Sequence, residues 1–411
     1  MTDATPSVPS LRRHSLDAVL AYAWDAEAFT ASDVMAAVAL TRSTTIDVLD
    51  ELVVRGLLIE MPNARAVGEY SKGRPARRFA LRADAGLVVG VDAGRGHITA
   101  TVADLRGVPV ATSRLSIDPE RDSPERRRRA AEKVVDATLT RARATRDDLV
   151  AVCVGVPAPV DRSGRSPIHH DGFWQRMNPD FVDTFAPWAP VVRVENDASL
   201  AAVAEHAEGA AVGYDDFVAL LAGERFGAGL WLDGRLLRGA HGGAGETVAF
   251  DRVEGVGSAY GLAPRCVDAA RAAIAAETLP GSTLAEVPPD DLDAKRVLDL
   301  AASGDPGALA VAAEVGGQLA IVTGLLGSLF DVRRVVISGA IAAGAGPIIA
   351  AAAEALPAAL HLPPPEIVAS PLGADIVSIG AVAAALESAR ARAIDLEAFR
   401  LPAERARASG A

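Results

Sequence analysis

Apolar residues follow one rhythm up to about residue 85 and another beyond it. Leu16, Val19 and Leu20 line one side of a first helix. Thr30 or Ser32 can cap a short second helix that turns Val34, Met35 and Val38 inward. After a turn at Ala39 to Thr41, the stretch from Ser43 to Arg55 predicts a third helix. Its inward residues are Ile46, Leu49, Leu52 and Val53, and Gly56 stops it. Two extended runs follow around a Gly/Pro turn, in LLIEMPNARAVGEYSKGRPARRFAL, and predict a β-hairpin.

From Gly86 the pattern becomes strand–strand–strand–helix. GLVVGVDAG, ITATVADLRG and PVATSRLSI read as consecutive strands, and Arg121 to Asp148 as a long charged helix. Strands VAVCVGVP and VVRVEND come next, then helix ASLAAVAEHAEG and strands FVALLAG and GAGLWLDG. An apolar helix over 312–330, strand RRVVISG, helix PIIAAAAEALP, strand EIVASPLG and helix SIGAVAAALESARAR complete the body. This is α/β architecture. A variant of the first meander begins near Phe217, so two related lobes with a cleft between them are expected.

Composition narrows the classes. Half of the 411 residues are apolar but only 4% are aromatic, so the cores must be built from Ala, Val and Leu. Two distant cysteines, Cys153 and Cys266, exclude a disulfide scaffold and a Cys-rich zinc module. The N-terminus has no long apolar run of the signal-peptide kind. Val315 to Phe330, interrupted by glycines, reads as a buried helix shorter than the roughly 20 residues of a membrane span. A soluble cytoplasmic protein with no membrane partner is expected. The formal charge is −12, which argues against a broadly nucleic-acid-coated surface but not against one basic element. Residues 1–85 are nearly neutral, and Lys72, Arg74, Arg77, Arg78 and Arg82 cluster there.

Three helices and a basic hairpin are the order of a winged helix-turn-helix, here residues 11–84. The third helix would enter the major groove and present Arg42, Ser43, Thr44 and Thr45. The turn with Lys72, Gly73 and Arg74, flanked by Arg77, would be the wing, neutralising phosphates or entering a narrow minor groove. The plainer alternative is a small helical dimerisation module with a solvated basic hairpin. The run Arg126 to Arg129 reads as a solvated helix face, and Cys153 as inert core.

Several Gly-rich or polar segments stand after strands, where an α/β cleft places its ligands: VDAGRGH, GVPAPVD, ENDAS, LLAGERFGAGL, GAHGGAGE and VVISGAIAAGAG. On these segments the chain resembles the ROK family of repressors, open reading frames and sugar kinases, in its regulator branch. The resemblance implies a two-lobed actin/hexokinase-like body over residues 86–390, followed by a tail at 391–411. The family's kinases carry DxGGT, GTGxGxG, an END-type sugar motif, and AGExGH before a Cys-rich zinc segment.

The carry-over is uneven. Asp92 and Gly94 keep the first phosphate loop, but Arg95 and Gly96 replace its second Gly and its Thr. Glu224 and Arg225 replace the Thr and the next Gly of the second loop. A carboxylate aimed at ATP phosphates repels them, and two bulky side chains fill space that backbone approach needs. The sugar side is better kept. Asn196 and Asp197 match the family's sugar-binding pair, with the Asp as its general base, Glu246 matches its sugar-binding Glu, and Gly155 to Pro157 match the loop beside the sugar. Ala249 stands where the family has His, with His241 a possible substitute, and the zinc ligands are missing. Asp197 could also serve only as a helix cap, and Glu246 only as an ion-pair partner.

The expected protein is a homodimeric regulator, a repressor, that binds operator DNA and a sugar or sugar-derivative effector. No metal, no cofactor and no catalytic residue are expected. Two rivals are a DNA-binding sugar kinase with Asp197 as base, and a ligand-free scaffold kept for dimerisation.

Overall fold

The computed structural model describes residues 8–62, 76–356 and 362–396. The N-terminal module contains α1 (Val8–Asp25), β1 (Phe29–Thr30), α2 (Ala31–Val38), α3 (Arg42–Val54), β2 (Leu58–Met61) and β3 (Arg78–Leu81). Thr30 caps α2, and Asp33 returns a carboxylate to the Thr30 N–H at 2.7 Å, a capping box. Thr41 caps α3, so that helix begins one residue earlier than expected. The strands form an antiparallel sheet in the order β1-β3-β2. The buried stripe of α3 is Thr45, Val48, Leu49 and Leu52, whereas Ile46 is exposed. The helix is therefore rolled relative to the expected face: the i, i+3, i+4, i+7 set that starts at Thr45 meets Leu16, Val19 and Leu20 of α1 in one core.

Next come β4 (Leu87–Asp92), β5 (His97–Ala103), β6 (Pro109–Ser116), α4 (Pro124–Ala142) and β7 (Leu149–Val156). Two short helices, α5 (Phe173–Met177) and α6 (Phe181–Phe185), precede β8 (Val192–Asn196) and α7 (Asp197–Glu208). The second lobe holds β9 (Phe217–Leu221), β10 (Gly227–Leu232), β11 (Arg235–Leu237), α8 (Leu262–Ala275) and α9 (Ala294–Ala302). It continues with α10 (Pro306–Phe330), β12 (Arg334–Ser338), α11 (Gly346–Ala355) and β13 (Glu366–Ala369), and the described chain ends with α12 (Ile376–Arg392).

The two lobes repeat one topology. Their sheets run β6-β5-β4-β7-β8 and β11-β10-β9-β12-β13. In each, an antiparallel meander is extended by two parallel strands. The related-lobe expectation holds, although β11, α8 and α9 left no clear signal in the sequence. At 25 residues α10 is longer than expected, and by length and composition it could cross a membrane. Here it is a core helix: Val311, Val315, Leu319, Val322 and Leu326 are buried with residues of α8, α9 and α11.

The seam between lobes is made by α7 and α12. At Gly90 an added Cβ would lie 2.5 Å from the Val382 nitrogen, and at Gly380 1.9 Å from the Leu200 oxygen. The helix backbones approach β4 and each other too closely for any side chain. The far end of α12 meets the N-terminal module. Arg390 stacks over Trp24 at 5.2 Å, and Trp24 Nε1 donates to the Leu105 carbonyl at 2.7 Å. Beyond the helix, Asp395 pairs with Arg13 at 2.6 Å, and Arg55 donates to the Ile394 carbonyl at 3.0 Å.

Replacing Gly90 by Ala is expected to lower unfolding stability by about 1–3 kcal/mol, because the clash is with α12 backbone. An unchanged urea midpoint would show that α12 is not seated this closely.

Candidate functional site

The parallel strands β4, β7 and β8 end side by side. Asp92 pairs with Gly155, Gly155 with Glu195, and Val156 with Asn196. This register brings Asp92, the loop after Val156 and the Asn196–Asp197 pair to one edge of the first lobe. Asn196, rather than Asp197, caps α7: its Oδ1 accepts from the Ser199 N–H at 3.0 Å, and its Nδ2 donates to the Ala158 carbonyl at 3.2 Å. Asp197 Oδ1 accepts from the Ala198 N–H at 2.8 Å. Gly155 is buried, and a Cβ there would meet Leu200 and Val377 within 2.8 Å. It is a packing position, so from this loop only Pro157 and the residues after it can face a ligand.

Glu246 comes from the second lobe on a loop fixed by glycine geometry. Gly245, at φ +86°, lies against the Ala228 carbonyl, and Gly242, at φ +72°, lies against Val160 of the first lobe. The loop therefore touches the first lobe, and the charges of Asp92 and Glu246 are both felt at Asp197. Asp197 is pushed up to about 7, mainly by burial, against the pull of the Ala198 N–H; Asp92 and Glu246 push it further up. Glu246 keeps an exposed surface but has protein on most sides. That crowding raises it, while Arg225 and then His169 draw it down. His169 in turn contacts Asp171 through Nδ1 and packs on Trp174.

Both phosphate-loop positions carry charged side chains. In the first loop His97 Nε2 meets Asp92 Oδ2 at 3.0 Å. Beneath it lies Arg127, which was expected on a solvated face and is instead wholly buried. It pairs with Asp122 at 2.7 Å and donates to the carbonyls of Ala93, Gly94 and Arg95 at 3.0, 2.9 and 3.3 Å. A buried guanidinium needs a carboxylate and several acceptors, and the loop supplies the acceptors. In the second loop Glu224 and Arg225 are exposed, and Arg225 lies 5.8 Å from the Tyr260 ring centre. The segment after Glu246 leads into α8, where Cys266 is buried and pushed up to about 12. Cys153 is likewise buried and pushed up to about 12 by loss of water. Neither thiol is poised as a nucleophile.

In the N-terminal module, α3 exposes Arg42 and Ser43 and half-exposes Thr44. Two expectations are corrected. Thr45 is fully buried, its hydroxyl donating to the Thr41 carbonyl at 2.9 Å, so it packs the helix and reaches no groove. Arg77 pairs with Asp50 and Glu60, each at 2.8 Å, and lies over Phe79 at 4.9 Å. Its charge is spent inside the module. Lys72, Gly73 and Arg74 lie outside the described residues.

With the twin sheets and the cleft motifs in place, comparison with known proteins decides the family: the ROK family model matches residues 88–387. The chain belongs to the ROK family. It is 27% identical over 310 residues to the DNA-binding transcriptional dual regulator NagC of Escherichia coli K12, covering 74% of each chain. It is 32% identical over 226 residues to the bifunctional enzyme NanE/NanK of Brucella melitensis, 50% of this chain but only 39% of that enzyme's length. Among solved structures, a ROK family transcriptional regulator described as a homologue of the E. coli MLC protein superposes with a TM-score of 0.71. That match covers 95% of this chain and 99% of the other at 19% identity, and shows the fold. The ROK body is thereby established for this chain, with two lobes whose sheets repeat one strand order.

Two measurements test the site. Asp197 is raised from 3.8 to about 7, so the folded state holds a proton that the unfolded chain has released between those values. Wild-type stability should therefore fall as pH rises through that window, by up to about 4 kcal/mol at roughly 1.4 kcal/mol per unit. Asp197→Asn should abolish this loss and be relatively most stable above pH 7; parallel wild-type and variant curves would contradict the burial of this carboxyl. Arg127→Leu should cost about 3–5 kcal/mol in denaturant unfolding, because it strands Asp122 and three carbonyls. A loss below 1 kcal/mol would show that the guanidinium is solvated after all.

Proposed function

We propose that the chain is a sequence-specific DNA-binding transcriptional regulator, a repressor, whose ROK body senses a sugar or sugar derivative and performs no phosphoryl transfer. The observation that carries this reading is the union of two parts. A helix–helix–helix–hairpin module precedes the ROK match, and the body behind it keeps the Asp197 and Glu246 side of a sugar cleft while both phosphate loops are altered. The similarity to NagC supports it.

In this reading residues 11–84 form the DNA-binding domain, 86–390 the effector and dimerisation domain, and 391–411 a tail. Arg42, Ser43 and Thr44 at the start of α3 approach bases and phosphates in the major groove. Lys72 and Arg74 with Gly73 form the wing. The protein works in the cytoplasm as a homodimer, with operator half-sites spaced by multiples of about 34–36 Å. Asp197 and Glu246 accept sugar hydroxyls, and Pro157 and Asn196 shape the floor. Since Asn196 already spends both ends of its amide on the α7 cap and on Ala158, its contribution is chiefly to hold Asp197 in place. A sugar regulates only through unequal affinity for the DNA-competent and DNA-incompetent arrangements.

Selection of operator sequences from a random library, followed by fluorescence anisotropy, tests the reading. Arg42→Ala and Arg74→Ala should each weaken binding and reduce the salt slope by about one unit per lost phosphate contact. Arg77→Ala should lower stability more than DNA affinity. Absence of any selected sequence would refute DNA binding, and ATP-dependent sugar phosphorylation lost in Asp197→Asn would establish a kinase instead. If Glu246→Ala leaves the response of the DNA complex to every sugar unchanged, the body is only a dimerisation scaffold.

A further inference from the structure

One cluster of side chains stands outside the sugar and phosphate motifs. His169, His170 and Asp171 follow one another between β7 and α5, and one ligand atom from each lies within 4.8 Å of the other two. Consecutive residues of an extended chain point to alternate sides. Here a tight turn gathers them: the Gly172 N–H donates to the His169 carbonyl at 3.0 Å, with Gly172 at φ +70°. Hydrogen bonds fix the turn on both sides. The His169 N–H donates to Gln175 Oε1 at 3.3 Å, and Gln175 Nε2 donates to the Pro167 carbonyl at 2.6 Å. Asp171 Oδ1 accepts from the Phe173 N–H at 2.8 Å and also meets His169 Nδ1. The Phe173 amide, and then His169, hold the Asp171 carboxyl below its ordinary range, so it is an anion at neutral pH. The His169 ring packs on the rings of Trp174 and His170, with centres 4.4 and 4.2 Å away.

We propose that His169, His170 and Asp171 bind a divalent transition ion of the zinc type. Two imidazoles and a carboxylate are donors that such ions favour, whereas Mg2+ and Ca2+ prefer oxygen alone. Tetrahedral ligands about 2.0–2.2 Å from an ion lie roughly 3.5 Å apart. The three side chains are half-exposed or exposed, so their rotation closes the remaining gap. Three protein ligands leave a fourth position open to water or to another oxygen donor. The ion would sit beside the second lobe's loop, because the charge of His169 is felt at Glu246. Glu246 adds negative charge there, and Arg225, which also acts on Glu246, opposes it. This donor set is not a remnant of the zinc segment of the family's kinases. That segment follows the AGE motif and is Cys-rich, whereas these residues precede β8 in the first lobe. The site stands whether or not the body senses a sugar.

Calorimetric titration of the full-length protein, stripped with a chelator and desalted, with ZnCl2 and separately with MgCl2 tests this. The expected result is one Zn2+ per chain, bound at least ten-fold tighter than Mg2+. His169→Ala and His170→Ala should each weaken Zn2+ binding about ten-fold or more, while His14→Ala, at an exposed histidine of α1, should not. Asp171→Asn keeps an acceptor for the Phe173 N–H but removes the charge, and should also weaken binding. Co2+ added to the wild-type protein should give the visible absorption bands of a protein-bound four-coordinate ion. These bands should be missing in His170→Ala, although its unfolding curve in EDTA matches the wild type. Zn2+ binding retained by all three cluster variants would place the ion elsewhere and overturn the proposal. Absence of Zn2+ binding and of the Co2+ bands in the wild type, or equal affinity for Mg2+, would overturn it as well.

Discussion

The close approach of α12 to the first lobe is the constraint on which most of the structure depends. The helix lies on β4 and against α7 with only hydrogens between backbones at Gly90 and Gly380. Such contacts leave no slack, because protein interiors are packed densely enough that a shift of one element must move its neighbours. One end of α12 lies beside Gly155 and Leu200, under the strand edge that carries Asp92 and Asp197. The other end carries Arg390 against Trp24, and the residues just beyond it meet Arg13 and Arg55. The floor of the cleft and the N-terminal module are thus fastened to the same rigid element.

The N-terminal module is also tied down internally. Glu51 of α3 receives both Arg12 and Arg55, at 2.5 and 2.7 Å, and these guanidinium groups hold its carboxyl below the usual range despite partial burial. Surface pairs of this kind contribute little singly. Here they share one carboxylate and fix where α3 sits relative to α1 and to the end of α12. The start of α3, with Arg42 and Ser43, is left open to solvent.

Around Asp197, like charges converge. Asp92, Asp197 and Glu246 come from three separate segments, and burial pushes Asp197 up to about 7. A carboxyl group poised there can both accept and donate to a hydroxyl. Arg127 does the opposite work on the far side of the first loop, where a buried cation orients backbone dipoles without reaching the cleft. The shape of that loop is therefore set by a residue on α4, about thirty positions away in the chain.

Much of this was legible in the sequence, since local periodicity and turn chemistry are local properties. The three N-terminal helices and the paired meanders could be read from spacing, whereas the altered phosphate loops and the roles of Asp197 and Glu246 came only from the resemblance to the family's motifs. What could not be read depended on contacts between distant segments. A run of four arginines looks solvated by composition, and only the pocket formed by Asp122 and the β4 loop selects Arg127 for burial. Thr45 and Ile46 have similar claims to face a groove or a core, and the roll of α3 against α1 decides between them. Arg77 counts as a free cation until Asp50 and Glu60 are brought beside it. Sequence determined the elements and the chemical types in the cleft; tertiary structure decided which charges are available, because burial and pairing arise only when the chain is closed on itself.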